Sequence, residues 1–361
     1  MRTLLYRLAF VAALNTLSYA SFGQATSDDD PVKKLISEGV ALHDAGKYDA
    51  ALARYQEALK LQPQDVITQA EMAITYYALG KYEEALTLSR QAIASPGKKG
   101  PNIYATYANS LDALNRPAEA EQAYRDGLKE FPNYYLLLYN LGVTQYGMKK
   151  YDDAQQSFQQ AVQANPNHPG SNLSWGLGLV DRGKRIPAIL ALANFLLLEP
   201  NTKRSYENLH QLHQLMSEGV EKTAGGGTVI RVDSSKLKAS KKGKQKAKAD
   251  DFGSSELMLS LLSTMDNLPP ELAKNPVETF GFQFNMLCQG LVKKEAAPTG
   301  FAATHYVPFF NEMGSKGHMT TFAYLIHFSD DEKPYARQWL EQHPDELKDL
   351  ISFVSEYNWA K

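Results

Sequence analysis

Between Val32 and Pro200, apolar and small residues return every three to four positions, the spacing of helices that bury one face. The pattern also copies itself about every 34 residues. Gly39, Ala51, Tyr55, Ala58 and Pro63 mark the first copy, and Ala73, Ala85, Ser89 and Ala92 the second, which closes in Ser95-Pro96-Gly97. After one inserted residue near 98–100 come Ala108, Ala120, Tyr124, Gly127 and Pro132, then Gly142, Ala154, Phe158, Ala161 and Pro166. A fifth, weaker copy shows Gly176, Ala188, Leu192, Phe195 and Pro200. The bulky Phe195 stands where the other copies carry a small residue, which predicts looser packing there.

Each copy predicts two helices parted by a turn such as Gly46-Lys47-Tyr48, Gly80-Lys81-Tyr82 or Lys149-Lys150-Tyr151. Glycine in the turn supplies the left-handed backbone that ends a helix, and the prolines stop the second helix of each pair. A small residue on one helix lets the partner's axis approach, and Tyr55 or Phe158 fills the space beside it. One pair cannot bury its apolar face alone; stacked pairs share a core. The expected units are 32–65, 66–100, 101–134, 135–168 and 169–201, followed by a capping helix over 202–224.

These markers resemble the tetratricopeptide repeat family over about residues 32–201, which implies an all-α solenoid. The resemblance further implies a groove on the inner faces of the first helices, where members bind an extended peptide or a helix. On that frame the groove holds Ile36, Val40 and His43; Ile67, Ala70, Ile74 and Tyr77; Asn102, Ala105, Asn109 and Asp112; Leu136, Tyr139, Val143 and Tyr146; and Leu173, Leu177 and Val180. The Lys/Asn/Arg set with which some members grip a C-terminal carboxylate is missing. An apolar, tyrosine-rich groove with a polar step at Asn109 and Asp112 suits an apolar peptide or amphipathic helix of a protein partner. The same Tyr and Leu side chains would serve equally well as packing between repeats.

Downstream the pattern changes. Ala224-Gly-Gly-Gly227 breaks the solenoid, Thr228–Asp233 is β-prone but short, and residues 236–248 hold seven lysines with almost nothing apolar, so 225–249 reads as a linker. Residues 250–361 carry ten of the fifteen phenylalanines and predict a small helical domain. Leu257, Met258, Leu261, Leu262 and Met265 share one face; Val277, Phe280, Phe284, Leu287, Cys288 and Leu291 share another, after an Asn275-Pro-Val-Glu278 start signal. Helical segments near 304–313 and 318–328 follow, and a last helix begins at Pro344.

The formal charge of −2 hides a segregation: +2 over residues 1–25, −3 over 26–224, +7 over 225–249 and −8 over 250–361. The positive start belongs to a leader-like segment, with Arg2 and Arg7 ahead of an apolar run from Leu8 to Leu17 and small residues up to Ala25. It predicts export by a cleaved signal peptide, cut between Ala20 and Thr26, to the periplasm, the envelope or the outside, with 26–31 a polar mature start. No apolar run is long enough to span a bilayer. Export argues against nucleic acid as the target of the lysine run, which also lacks interleaved aromatics. The single cysteine excludes an internal disulfide and a multi-cysteine zinc site, and its place on an apolar face reads as packing.

No catalytic or cofactor motif has its required context. Asp251-Phe252-Gly253 lacks a kinase's other parts, and Gly225–Gly227 lacks the lysine of a phosphate loop. His305, His318 and His327, with Glu295 and Glu312, could meet in space around a metal, although their spacing gives no ligand signature. Glu207, His210 and His213 on the capping helix read as solvated. The reading that emerges is an exported protein-interaction scaffold without enzymatic activity, cofactor or metal. Two alternatives stand beside it: a C-terminal enzyme or ligand-binding unit whose substrate the repeats recruit, and a surface binder of anionic glycan or lipid acting through the lysines.

Overall fold

The computed structural model describes residues 30–97, 99–222, 228–230, 252–264, 272–292 and 300–360. The leader-like segment, the lysine-rich run, Met265 and Glu295 lie outside them. The chain forms two compact units, residues 30–166 and residues 167–360.

The first unit is four antiparallel helix pairs: α1 (Pro31–Asp44) with α2 (Tyr48–Leu61), α3 (Val66–Ala78) with α4 (Tyr82–Ala94), α5 (Pro101–Ala113) with α6 (Pro117–Glu130), and α7 (Tyr135–Gly147) with α8 (Tyr151–Ala164). The carboxylates of Asp30 and Asp65 cap α1 and α3, accepting from Val32 N at 3.0 Å and Thr68 N at 2.6 Å. The second helices open with Asp49, Glu83 and Glu84, Glu119, or Asp152 and Asp153 in the first turn, where the helix dipole favours negative charge. Between the helices of a pair, Gly46 and Gly80 take φ of 73° and 74°. Lys149 fills the same left-handed position in the fourth pair at φ 62°, without glycine's steric freedom.

The small-against-large rule read from the markers holds in space. A methyl added at Gly39 would lie 2.3 Å from Tyr55 Cε1, and one at Gly142 2.6 Å from Phe158 Cε1. Tyr55 and Phe158 are buried in these niches, and Tyr124 is buried at the corresponding place of the third pair. Burying such a ring is worth roughly 1.5–3 kcal/mol, provided the facing residue stays small.

The second unit begins with a fifth pair, α9 (Pro169–Asp181) and α10 (Arg185–Leu198), then α11 (Lys203–Ser217). Strands β1 (Val220–Lys222) and β2 (Thr228–Ile230) pair antiparallel, Val220 opposite Ile230. Helices α12 (Gly253–Leu262), α13 (Pro276–Val292), α14 (Phe301–Ser315), α15 (Met319–Ile326), α16 (Tyr335–Gln342) and α17 (Pro344–Glu356) complete it, with a 3-10 turn at Leu272–Lys274. Asn275 caps α13 as its sequence signal predicts: its Oδ1 accepts from Val277 N and Glu278 N, at 3.1 and 3.3 Å.

All fourteen residues of α10 are buried, Phe195 completely, so the looser packing expected there is not found. The reason is that α14 and α15 pack on this helix as well as α9 and α11 do. From α9, Trp175 stacks on Tyr306 and meets Phe301 edge-on, and Tyr306 Oη donates to Asn172 Oδ1 at 2.6 Å. Arg185, at the head of α10, spends its guanidinium inside the protein. Nε donates to Leu215 O at 2.6 Å, Nη2 to Met216 O at 3.1 Å and Nη1 to Ser260 Oγ at 3.2 Å, which closes the end of α11 and ties it to α12.

The capping helix is therefore covered. On α11, His210 is exposed, but His213 meets Phe280 and brings its Nε2 within 2.9 Å of His327 Nε2. His327 Nδ1 faces Ala323 O at 2.7 Å and must carry a proton, so in the neutral pair His213 donates and His327 accepts. Only one proton fits between the two Nε2 atoms. Burial pushes His213 down to about 3 and His327 to about 4; His327, Lys333 and His210 add to the first shift, Lys333 to the second, and Asp330 opposes both. Burial also holds His305 and His168 down to about 4.

Two predictions follow from the packing. Gly142→Ala should destabilise the first unit by about 1–3 kcal/mol, because the ring of Phe158 has no room to yield. Lys149→Gly should stabilise it by about 1 kcal/mol by relieving the left-handed strain. Urea titrations of the far-ultraviolet dichroism of both variants check the opposite signs.

The buried histidines generate a third. Their folded values lie below the ordinary 6.5, so the unfolded chain takes up protons first as pH falls. Stability is full above pH 6.5 and drains away toward pH 4, at on the order of 1.4 kcal/mol per pH unit for each histidine involved. All three tryptophans (Trp175, Trp339 and Trp359) lie in the second unit, so tryptophan fluorescence reports on it alone. Its urea midpoint should hold near pH 7 and fall from about pH 6.5 to pH 5, and His213→Phe should flatten that slope. A midpoint independent of pH over this range would contradict the assignment.

Candidate functional site

In the first unit, α1, α3, α5 and α7 are neighbours, and the repeat sets corresponding residues side by side on them. Three rows result: Ile36, Ala70, Ala105 and Tyr139; Val40, Ile74, Asn109 and Val143; and His43, Tyr77, Asp112 and Tyr146. This is the surface expected from the sequence, and its members differ in what they leave open. Val143 and Tyr146 are 43% and 51% exposed, as is Ile67 at 52%. Ile36, Val40, His43, Ile74, Tyr77, Asn109, Asp112 and Tyr139 are half-buried. Leu173 and Leu177 stand on α9 in the second unit, the first buried and the second 39% exposed.

The third row is anchored from behind. The ring of His43 packs on Tyr48, that of Tyr77 on Tyr82 and that of Tyr146 on Tyr151, with centroids 5.2, 5.4 and 5.2 Å apart. Each tyrosine behind is the first residue of the following helix, so the Gly-Lys-Tyr and Lys-Lys-Tyr turns also brace the groove. Tyr139 packs on Phe158 at 6.0 Å and thus contributes to the core of its own pair.

Polar links join neighbouring first helices. His43 Nδ1 lies 2.8 Å from Thr75 Oγ1, joining α1 to α3. Asn140 Nδ2 donates to Asn109 Oδ1 at 3.1 Å and Thr144 Oγ1 to Asp112 Oδ2 at 3.1 Å, joining α5 to α7. Tyr124 also donates to Asn109, and Tyr134 Oη to Asn102 Oδ1 at 2.5 Å. Sequence reasoning missed Thr75, Asn140, Thr144 and Glu71, which sit one position from the rows. Glu71 carries the only charge on α3, which was the available signal. Burial, and after it the Asp44 carboxylate, push its pKa up to about 7. Burial, then Tyr82 and Asp112, raise the Tyr77 phenol.

A second concavity, of about 450 Å³, lies between α6 and α8, lined by Arg125, Leu128, Leu141, Gln145 and Ser157 among others. Three of its polar groups, Arg125, Gln145 and Ser157, belong to a network centred on the neighbouring Glu121. Although burial pushes Glu121 upward, hydrogen bonds from Lys150 Nζ, Arg125 Nη2 and Gln145 Nε2 bring it down to about 2, and Ser157 Oγ donates to Gln145 Oε1 at 2.7 Å.

The histidines considered for a metal occupy three separate settings. His305 is sandwiched between Phe301 and Trp359, His318 leans on Phe353, and His327 pairs with His213. Among the described residues no three His, Cys, Asp or Glu side chains converge on one point. Cys288 is buried at the back of α13, where burial raises its thiol far above the usual range. No helix among the described residues is long and apolar enough to cross a membrane. What the groove offers is a surface: exposed apolar side chains, braced aromatic rings and a carboxylate, suited to holding a chain.

Comparison with known proteins fits this geometry. Family profiles described as TPR repeat or tetratricopeptide repeat match residues 39–80, 68–95, 101–144 and 135–168. Among solved structures the chain is similar to Pseudomonas aeruginosa pilF, at 21% identity and TM-score 0.43 over 52% of this chain and 90% of that one. It is similar to TTC0263, a TPR protein of Thermus thermophilus, at 21% identity and TM-score 0.43, over 51% and 98% of the two chains. A third, YrrB, is described as a TPR protein with an unusual peptide-binding site; it shares 19% identity at TM-score 0.38, over 49% of this chain and 89% of its own. No curated protein sequence matches. The repeated markers, the paired helices and the family matches agree, and the region from residue 39 to residue 168 consists of tetratricopeptide repeats.

Proposed function

We propose that this protein is an exported scaffold of the cell envelope whose repeat groove holds an apolar peptide or amphipathic helix of a partner protein. The second unit supplies a further contact, and no chemistry of its own is required. The observation that carries the reading is the exposure of Ile67, Val143 and Tyr146 on helices whose other apolar residues are largely covered. A braced ring such as Tyr146 loses little entropy on binding, because Tyr151 already restricts it. The leader-like residues 1–25 support export.

Tyr146→Ala is the variant of choice, because its ring is exposed whereas that of Tyr139 also packs on Phe158. With a partner captured from envelope extract, it should weaken binding by about 2 kcal/mol or more, while the melting curve stays within about 0.5 kcal/mol of the parent. Undiminished binding would remove the groove from the reading. For export, residues 1–25 fused to alkaline phosphatase should yield active enzyme outside the cytoplasm. The mature protein should begin between Ser21 and Thr26, and a retained Met1 in a cytoplasmic protein would refute export.

A further inference from the structure

The charge of the groove narrows the partner. Helices α3, α5 and α7 carry two carboxylates, Glu71 and Asp112, and neither lysine nor arginine. Neither carboxylate makes an ion pair among the described residues; Asp112 accepts one hydrogen bond, from Thr144, through Oδ2. Most cations at the turns are offset within three residues, Lys47 by Asp49, Lys81 by Glu83, Arg116 by Glu119 and Lys150 by Asp152, whereas Lys99, two residues before α5, has no acidic residue so close; on α1, Lys33 and Lys34 stand with Glu38 and Asp44. On α3, α5 and α7 the groove therefore offers a ligand the charge of Asp112, joined in part by Glu71, whose burial leaves it partly protonated at neutral pH, and no lysine or arginine.

Asp112 also occupies a particular place. It is the third member of the row His43, Tyr77, Asp112 and Tyr146, with a tyrosine from the repeat on either side. Tyr77 feels its charge, and Tyr146 is half exposed. A carboxylate flanked by aromatic rings attracts a cation twice over, by charge and through the ring faces. Exposed Ile67 and Val143 offer apolar contact to the neighbouring positions of an extended chain. An acidic ligand would meet only repulsion here.

We propose that the groove selects peptides bearing a lysine or arginine flanked by apolar residues, the cation seated on Asp112 between Tyr77 and Tyr146. This rests on the groove reading above and adds the sign of the partner's charge.

The test is selection from a random peptide library displayed on phage against the immobilised full chain, followed by anisotropy titrations of the enriched peptides. Lysine or arginine should be enriched at one position with apolar neighbours. Replacing that residue by glutamine should weaken binding about tenfold, and Asp112→Asn should reduce the ratio to about twofold, with binding weaker in high salt. The dichroism of the Asp112→Asn chain should match the parent. Peptides that bind through Tyr146 but show no basic preference, or an acidic one, overturn this inference and leave the groove reading standing. Enriched peptides indifferent to Tyr146→Ala, or no enrichment at all, overturn both.

Discussion

Everything in the second unit depends on one helix that has no polar face. Residues Ile186 to Leu198 of α10 include a single polar side chain, Asn194, and that one bonds to Asn172 within the fold. A helix of this kind is stable only when surrounded, and a neighbouring pair can cover no more than one side of it. The C-terminal helices supply the rest: α14 and α15 close over α10, and α11, itself covered, is tied down by Arg185 and by the histidine pair. The five-helix-pair pattern in the sequence and the compact units of the structure therefore divide the chain at different points. Periodicity runs on through the fifth pair, while burial assigns that pair to the downstream helices.

How much of this was legible follows from the range of each interaction. The Gly39–Tyr55 and Gly142–Phe158 contacts join residues sixteen apart within one copy of the repeat, and a repeating marker exposes them, with the pairs and turns they belong to, at once. The start of α13 was equally plain, because Asn275, Pro276 and Glu278 act within one turn. The cover over α11 was not. Its evidence is a bond between His213 and His327 across 114 residues, and a histidine on an amphipathic helix looks solvated until its partner arrives. Helix α16 was missed as well. It is eight residues long, and Ala336 and Leu340 are its only buried side chains, too few for a periodic signal.

The groove shows the same division. Its positions followed from the repeat, but the state of each residue depended on what stood behind it. Tyr139 and Tyr146 stand two turns apart on one helix; Phe158 draws the first inward, while Tyr151 supports the second and leaves it half exposed. The polar links between helices came from the residues beside the rows, so the groove's chemistry is set by more positions than form its surface.

The need to surround α10 has a consequence for synthesis. A chain made from its N-terminus completes the four pairs of the first unit early, each with its core residues already in hand. Helix α10 emerges next with its apolar surface bare on the side that α14 and α15 will take, and Phe301 lies 103 residues beyond Leu198. At about 5–20 residues per second, that surface waits roughly 5–20 s for its cover. During this interval the nascent chain displays one continuous greasy helix, the segment on which a holdase would act and from which aggregation of a truncated product would start.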